Sequence, residues 1–445
     1  MLPLPLASAV TTGEATLGHL LPAWAVTPFV LMLLSIAVLP LTAGAWWEHN
    51  RNKAVISAVL GLPVLAFIAR VEPSAVLHTA QEYAAFIALL ATLYTISGGV
   101  VVRGTLAGTP GSNTVFLGIG ALLASVIGTT GASMVLVRPM LRANSVRARK
   151  AHVFVFFIFV VSNAGGLLTP LGDPPLFLGF LRHVPFLWTL RLFPEWLFVN
   201  GALLLLFYIV DSQIFRSEDL ERKNVDLDEA AVEHALPIHV AGKRNLAYLA
   251  GVVALLLVAG TMALPLWVQL AGLAALTALS LATTSRALRE ENAFAWGPIV
   301  EVAVVFAGIF ATMIPALEIL NARGAALGVT EPWQFFWASG MLSSFLDNAP
   351  TYLAFASAAS GLAGTDAGHL DQLLASARGV SLLEAIALGS VFMGANTYIG
   401  NGPNFMVKAI AEANGVRMPS FFGYMAWSGA VLLPLFVAVT FLFLR

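Results

Sequence analysis

Two aspartates, Asp173 and Asp347, lie in apolar surroundings beside amides and hydroxyls. The first closes the run Ser162-Asn163-Ala164-Gly165-Gly166-Leu167-Leu168-Thr169-Pro170-Leu171-Gly172-Asp173-Pro174-Pro175, and the second stands in Phe345-Leu346-Asp347-Asn348-Ala349-Pro350-Thr351. Asn163, Asn348, Asn396, Asn401 and Asn404 add amide oxygens, and Thr129, Thr130, Ser133, Thr169, Thr351 and Thr397 add hydroxyls. Unwound backbone at Gly172 and Gly400 would expose carbonyls. Na+ takes such a set of oxygens, and half-helix C-termini add partial negative charge. Low dielectric disfavours the charged form of a carboxylate, so a buried aspartate can trade a proton for a metal ion. Cation/proton exchange is the chemistry these residues suggest, with Asp173, Asp347, Asn348 and Asn401 as the candidate Na+ ligands. The alternative is that some of them only satisfy unwound backbone. Glu301 stands alone in an apolar run and reads either as a proton relay or as a residue reaching the interface. His152 and Arg138 are placed at headgroup level.

The elements that must position these residues are membrane helices. The chain of 445 residues is 58% apolar and 11% charged, with a mean hydropathy of +0.85. A soluble domain is nearer 25% charged. This composition predicts an all-α polytopic membrane protein with little left for a soluble domain. Cysteine is absent, which excludes disulfides, thiol catalysis and thiolate metal sites. No basic block suggests nucleic acid, and no phosphate-binding Gly-x-x-x-x-Gly-Lys loop supports ATP-driven pumping. Met1 to Trp24 has no basic residue ahead of its apolar part, as a signal peptide would, and reads as a short non-cytoplasmic lead-in.

An unbroken helix over 151–181 would overshoot the hydrocarbon core, which takes roughly 20 residues. Its glycines, prolines and aspartate predict a helix that stops, unwinds and restarts at membrane depth, with Pro174 and Pro175 suited to a first turn. Two shorter segments, 113–141 and 333–358, are each interrupted by polar residues, at 128–133 and 345–351. Each reads as a re-entrant hairpin whose backbone survives only when buried in protein or lining a wet cavity. The pattern then repeats, because a hairpin precedes a broken helix in both halves. Leu171-Gly172-Asp173-Pro174-Pro175 and Ile399-Gly400-Asn401-Gly402-Pro403 share aliphatic, Gly, Asp or Asn, any residue, Pro.

With both hairpins returning to their own side, 17 of the 23 Lys and Arg residues fall on one side, a positive-inside bias that places the charged linker 212–244 in the cytoplasm. The hairpins then enter from opposite sides, so the repeats are inverted, and interrupted segments at matching places in inverted halves point to a transporter site. The expected organisation is a lead-in over 1–24, a first transmembrane half over 25–211 and a second over 245–445. The first half holds hairpin 113–141 and broken helix 151–181; the second holds hairpin 333–358 and broken helix 381–412. The chain is expected to be multi-pass in the cell membrane.

The stretches around Asp173 and Asp347, together with Gly394-Ala395-Asn396-Thr397-Tyr398-Ile399-Gly400-Asn401-Gly402-Pro403-Asn404, resemble the ion transporter superfamily. The likeness is to its citrate-transporter-like (CitMHS) branch, with NhaD-type sodium/proton antiporters and arsenite permeases among the relatives. It runs from about residue 80 to the end. It implies a homodimer in which a mobile transport domain moves against a scaffold domain in an elevator-like manner, with no cofactor beyond a transported or coupling Na+. The Ser-Asn-Thr tip signature of sodium/dicarboxylate members is missing, since the tips read Thr129-Thr130-Gly131 and Asp347-Asn348-Ala349. The leading expectation is a sodium/proton antiporter, not an enzyme. The alternatives are a Na+- or H+-coupled importer of citrate or a related carboxylate, and arsenite efflux. An intramembrane aspartyl protease is disfavoured, because Pro170 stands where the Gly-x-Gly-Asp motif needs its first glycine.

Overall fold

The computed structural model describes residues 17–221, 236–262 and 264–445. Most of the expected lead-in and the acidic centre of the linker, 222–235, lie outside the described residues. A helix satisfies its own backbone, which is the condition for crossing hydrocarbon. Among the described residues, 11 segments are long and apolar enough to cross a membrane, as the composition requires.

In chain order the helices are α1 (Thr27–Thr42), α2 (Asn50–Val71), α3 (Pro73–Ser97), α4 (Pro110–Ile127), α5 (Thr129–Ala143), α6 (Ala151–Val160), α7 (Pro174–Leu181) and α8 (Phe193–Glu221). They continue as α9 (Arg244–Met262), α10 (Leu266–Thr283), α11 (Gly297–Arg323), α12 (Pro332–Ser343), α13 (Asn348–Ala363), α14 (Ala377–Phe392), α15 (Gly402–Ala413) and α16 (Phe421–Phe443). The interruptions fall where the sequence placed them, between α4 and α5, α6 and α7, α12 and α13, and α14 and α15. Two boundaries differ from expectation. Helix α3 starts at Pro73, well before the apolar run that marks it, because its first turns carry Ser, His, Gln and Glu. Helix α8 runs on to Glu221, into the segment expected to be linker.

One element had no signal in the hydropathy. Strands β1 (Val101–Thr105) and β2 (Leu236–Ala241) pair antiparallel, Val101 with Ala241 and Arg103 with His239. The sheet joins the chain leaving α3 to the chain entering α9. Arg142 near the end of α5 donates to the β1 carbonyls of Val102, at 2.6 Å, and Gly104, at 3.4 Å. The α4–α5 hairpin therefore returns to the end of the molecule that carries the sheet. The α12–α13 hairpin lies at the end where α7 stops: Leu370 N donates to the Arg182 carbonyl at 2.9 Å, and Arg378 donates to Thr330 O at 3.3 Å.

Helix α11 packs on α1, α2, α3 and α13, and α10 packs on α3 and α9. On the other side, α4 and α5 pack with α6, α8 and α15, and α12 and α13 with α14. Of the window Ala151–Leu168, 94% is buried, against 11% of Leu266–Thr283. The broken helix is therefore central and α10 peripheral, as a lipid-facing span would be.

A buried charged network fastens the loop before α6 to α8. Arg147 Nη1 lies 2.6 Å from Asp211 Oδ1, and its Nε lies 3.8 Å from Glu218. His152 Nε2 lies 2.7 Å from the same Asp211 oxygen, and Asn113 donates to the other at 3.2 Å. His152 is thus buried in protein and paired with a carboxylate. The α8 segment beyond the apolar run supplies Asp211 and Glu218, and these acids draw the cations inward. Arg138 is half-buried and donates to Asn292 O at 3.0 Å. Removing one partner of a buried ion pair leaves the other uncompensated, at a cost of about 3–5 kcal/mol. Arg147→Met is accordingly expected to lower the thermal unfolding temperature in detergent sharply. Adding Asp211→Asn to it is expected to recover part of the loss, as the charge left behind is removed.

Candidate functional site

All four helix breaks meet at Asp173, which is 1% exposed. Its Oδ1 accepts from Thr129 Oγ1 of the first hairpin at 2.8 Å and from Asn401 Nδ2 of the second broken helix at 3.1 Å. Its Oδ2 accepts from Asn348 Nδ2 of the second hairpin. Each break thus contributes one side chain, three donating and one accepting. No Lys or Arg among the described residues pairs with this carboxylate. What faces it are the starts of α5, α7, α13 and α15, the positive ends of the helix dipoles, although α7 opens on Pro174 and Pro175 and offers no N–H at its first two positions.

The breaks are built alike in the two halves. Ser125 Oγ donates to Gly165 O at 2.5 Å, and Ser344 Oγ to Met393 O at 3.1 Å. Thr169 Oγ1 donates to Ser125 O, and Thr397 Oγ1 to Ser344 O. Each of these threonines then accepts from a backbone N–H two residues on, Leu171 at 3.1 Å and Ile399 at 3.2 Å. Gly172 lies so close to Gly166 that a Cβ on it would collide with the Gly166 carbonyl, and Gly400 is held against Gly394 in the same way. Gly128, with φ +81°, turns the first hairpin at the position where Asp347 turns the second. The repeat expected from the sequence therefore extends to individual hydrogen bonds.

Asn163 and Asn404 bridge the two broken helices. Asn163 Nδ2 donates to Asn404 Oδ1 at 2.7 Å and to Ile158 O at 2.8 Å, and its Oδ1 accepts from Asn401 at 3.2 Å. Asn404 Nδ2 donates to Gly394 O at 2.8 Å and Thr397 O at 2.9 Å. Both amides have their two N–H groups spent and accept one hydrogen bond on each oxygen, so they brace the breaks against each other. Ser133 and Ser162 pair at 2.8 Å beside them.

Asp347, the other expected acid, caps α13 by accepting from Ala349 N at 3.1 Å, and Thr351 Oγ1 donates back to Asp347 O at 3.0 Å. Thr169, Thr397, Gly172 and Gly400 serve the backbone of the breaks. Thr130 is half-buried and makes no side-chain hydrogen bond to the described residues. Three amide oxygens beside the breaks stand buried and without a partner, Asn348 Oδ1, Asn396 Oδ1 and, behind the first broken helix, Asn200 Oδ1. Glu301 lies outside this cluster, 2.6 Å from Lys53 Nζ, with the Lys53 side chain 3% and the Glu301 side chain 48% exposed. Residues missed from the sequence are Ser125, Ser344 and Ser162, ordinary serines in apolar helices. Only the second-half serine, three residues before Asp347, has a counterpart at the same offset from Gly128 that alignment of the halves would have revealed.

Losing the Asn404 amide strands two carbonyls and the Asn163 donor, at about 1–3 kcal/mol for each buried unpaired group. Asn404→Ala is expected to lower thermal stability by a few kcal/mol. Gly172→Ala, which forces two backbone segments apart, is expected to do the same without changing any polar side chain. Unfolding monitored in detergent, with and without added salt, measures both.

One protein family, described as "Putative citrate transport" (CitMHS_2), matches residues 18–444. No curated protein matches the chain.

Proposed function

The chain belongs to the CitMHS_2 family, and from that premise we propose that it is a secondary active transporter, a sodium/proton antiporter whose ion site is Asp173. The carrying observation is a buried carboxylate at the meeting point of four helix breaks with no basic side chain paired to it. A monovalent cation beside Asp173 would be taken by its carboxylate, with Asn348 and Asn401 adjoining and Asp347 adding negative charge nearby. Proton uptake would turn one Asp173 oxygen from acceptor to donor. Rotation of the Asn348 amide would then present Oδ1, which is without a partner, to accept a hydrogen bond from the Asp173 O–H. The same two groups thus serve the sodium-loaded and the protonated site.

The order and pairing of the breaks support two inverted repeats. Helices α1–α3 and α9–α11 form the scaffold in this reading, and the two hairpins, two broken helices, α8 and α16 form the transport domain that moves against it. A homodimer in the cytoplasmic membrane, with linker 212–244 on the cytoplasmic side, completes the reading. Glu301, tied to Lys53, is then a scaffold residue at one membrane face.

A second reading has a specific observation in its favour. Four helix N-termini facing one centre also suit a carboxylate of citrate, the substrate in the family's description. In that case Asp173 holds the coupling cation.

The test is proton flux in proteoliposomes containing an interior pH dye. Addition of NaCl or LiCl, with KCl and citrate as comparisons, is expected to move protons in the parent protein and to leave Asp173→Asn silent. No response to cations, with Na+-dependent citrate uptake, would overturn the antiporter in favour of the symporter. Unchanged flux in Asp173→Asn would remove Asp173 from its role. Asn348→Leu is expected to retain the fold while losing at least tenfold in Na+-driven flux, a transition-state change of about 1.4 kcal/mol.

A further inference from the structure

Away from the ion site, one buried ion pair joins helix α3 to the end of α7. Arg182, the residue after α7, donates from Nε to Glu82 Oε1 at 2.9 Å and from Nη2 to Glu82 Oε2 at 3.1 Å. Arg182 is 6% and Glu82 5% exposed. The remaining guanidinium nitrogen, Nη1, donates to Ala367 O at 3.1 Å, and the Arg182 carbonyl accepts from Leu370 N at 2.9 Å. One residue thereby ties three parts together: α3, the end of the first broken helix, and the loop that follows the second hairpin. His78, one turn before Glu82, lies 3.9 Å from the same carboxylate, and Glu318 of α11 is within electrostatic reach of Arg182.

A planar guanidinium meeting a carboxylate on two parallel bonds fixes orientation as well as distance. Buried, such a pair adds little net stability over apolar packing but is costly to break on one side only. It therefore acts chiefly on which arrangement is adopted. We propose that Glu82–Arg182 is a conformational latch, holding α7 and the second hairpin against α3 in the arrangement described, and that it must open before those helices can slide. This rests on the scaffold and transport division proposed above, and it is independent of which ion or carboxylate is carried. At the opposite end α5 is held through neutral carbonyls and no carboxylate, Arg138 donating to Asn292 O at 3.0 Å and Arg142 to Val102 O at 2.6 Å and Gly104 O at 3.4 Å. The two ends are held unequally.

The chain contains no cysteine, so spin labels can be placed without background. Leu77 on α3 and Leu187 after α7 are 62% and 58% exposed, and Leu77→Cys with Leu187→Cys reports the separation of the two parts. Pulsed dipolar spectroscopy in nanodiscs without substrate is expected to give one dominant distance in the otherwise unchanged chain. Glu82→Gln is expected to raise a second distance at least about tenfold in population, from the few-per-cent range typical of a minor state. The swapped pair Glu82→Arg with Arg182→Glu is expected to return the first distance, and the neutral pair Glu82→Met with Arg182→Leu to favour the second while remaining folded. An unchanged distribution in the folded neutral pair would overturn the latch. The distances are read without transport, so failure of the flux assay and failure of this proposal are distinguishable.

Discussion

Backbone that leaves a helix at membrane depth must find partners for its free N–H and C=O groups inside the protein, because hydrocarbon offers none. Four such departures occur here, and they are satisfied jointly. The Ser125 and Ser344 hydroxyls, the Thr169 and Thr397 hydroxyls and the Asn404 amide are spent on carbonyls of the breaks. Glycines at 166, 172, 394 and 400 allow the strands of each break to touch. The requirement explains why the broken helices lie at the centre and the unbroken α10 at the edge: only the centre is surrounded by other protein.

Once those demands are met, little polar capacity is left over, and what is left is informative. Asp173 receives three neutral donors and no cation. Asn348 and Asn396 keep an unspent amide oxygen each. Asn163 and Asn404, which look equally ligand-like, have both N–H groups spent and one hydrogen bond on each oxygen, to each other, to Asn401 and to backbone. The distinction between ligand and brace is thus a matter of counting donors and acceptors. A hydrogen bond contributes modestly when made and costs more when a buried partner is left without it.

Charge follows the same economy of position. The described ion pairs nearest full burial, Arg147 with Asp211 and Arg182 with Glu82, lie toward opposite ends of the molecule. One closes a loop onto α8 and the other crosses between helix groups. With these charge pairs at the ends, no basic side chain among the described residues pairs with the central carboxylate of Asp173.

The sequence by itself determined the class, the positions of the four breaks and the repeat, because each is a local signal: apolar length, Gly-Pro punctuation and a motif written twice. It also singled out Asp173 and Asn401, since a lone acid and its amide counterpart stand out in apolar surroundings. It could not sort the remaining polar residues. Asp347 and Thr351 make local contacts at the start of α13 that nothing in their spacing announced, and the use of Ser125 and Ser344 is decided by partners lying 40 to 53 residues away. The first turns of α3 and the last of α8 were hidden because their polar residues find partners elsewhere in the protein, Glu82 in Arg182 after α7 and Glu218 in Arg147 of the loop before α6. The β1–β2 pair was hidden because short strands carry no membrane-length signal. Only the tertiary structure could decide that the four breaks share one carboxylate, since that depends on helices far apart in the chain packing face to face.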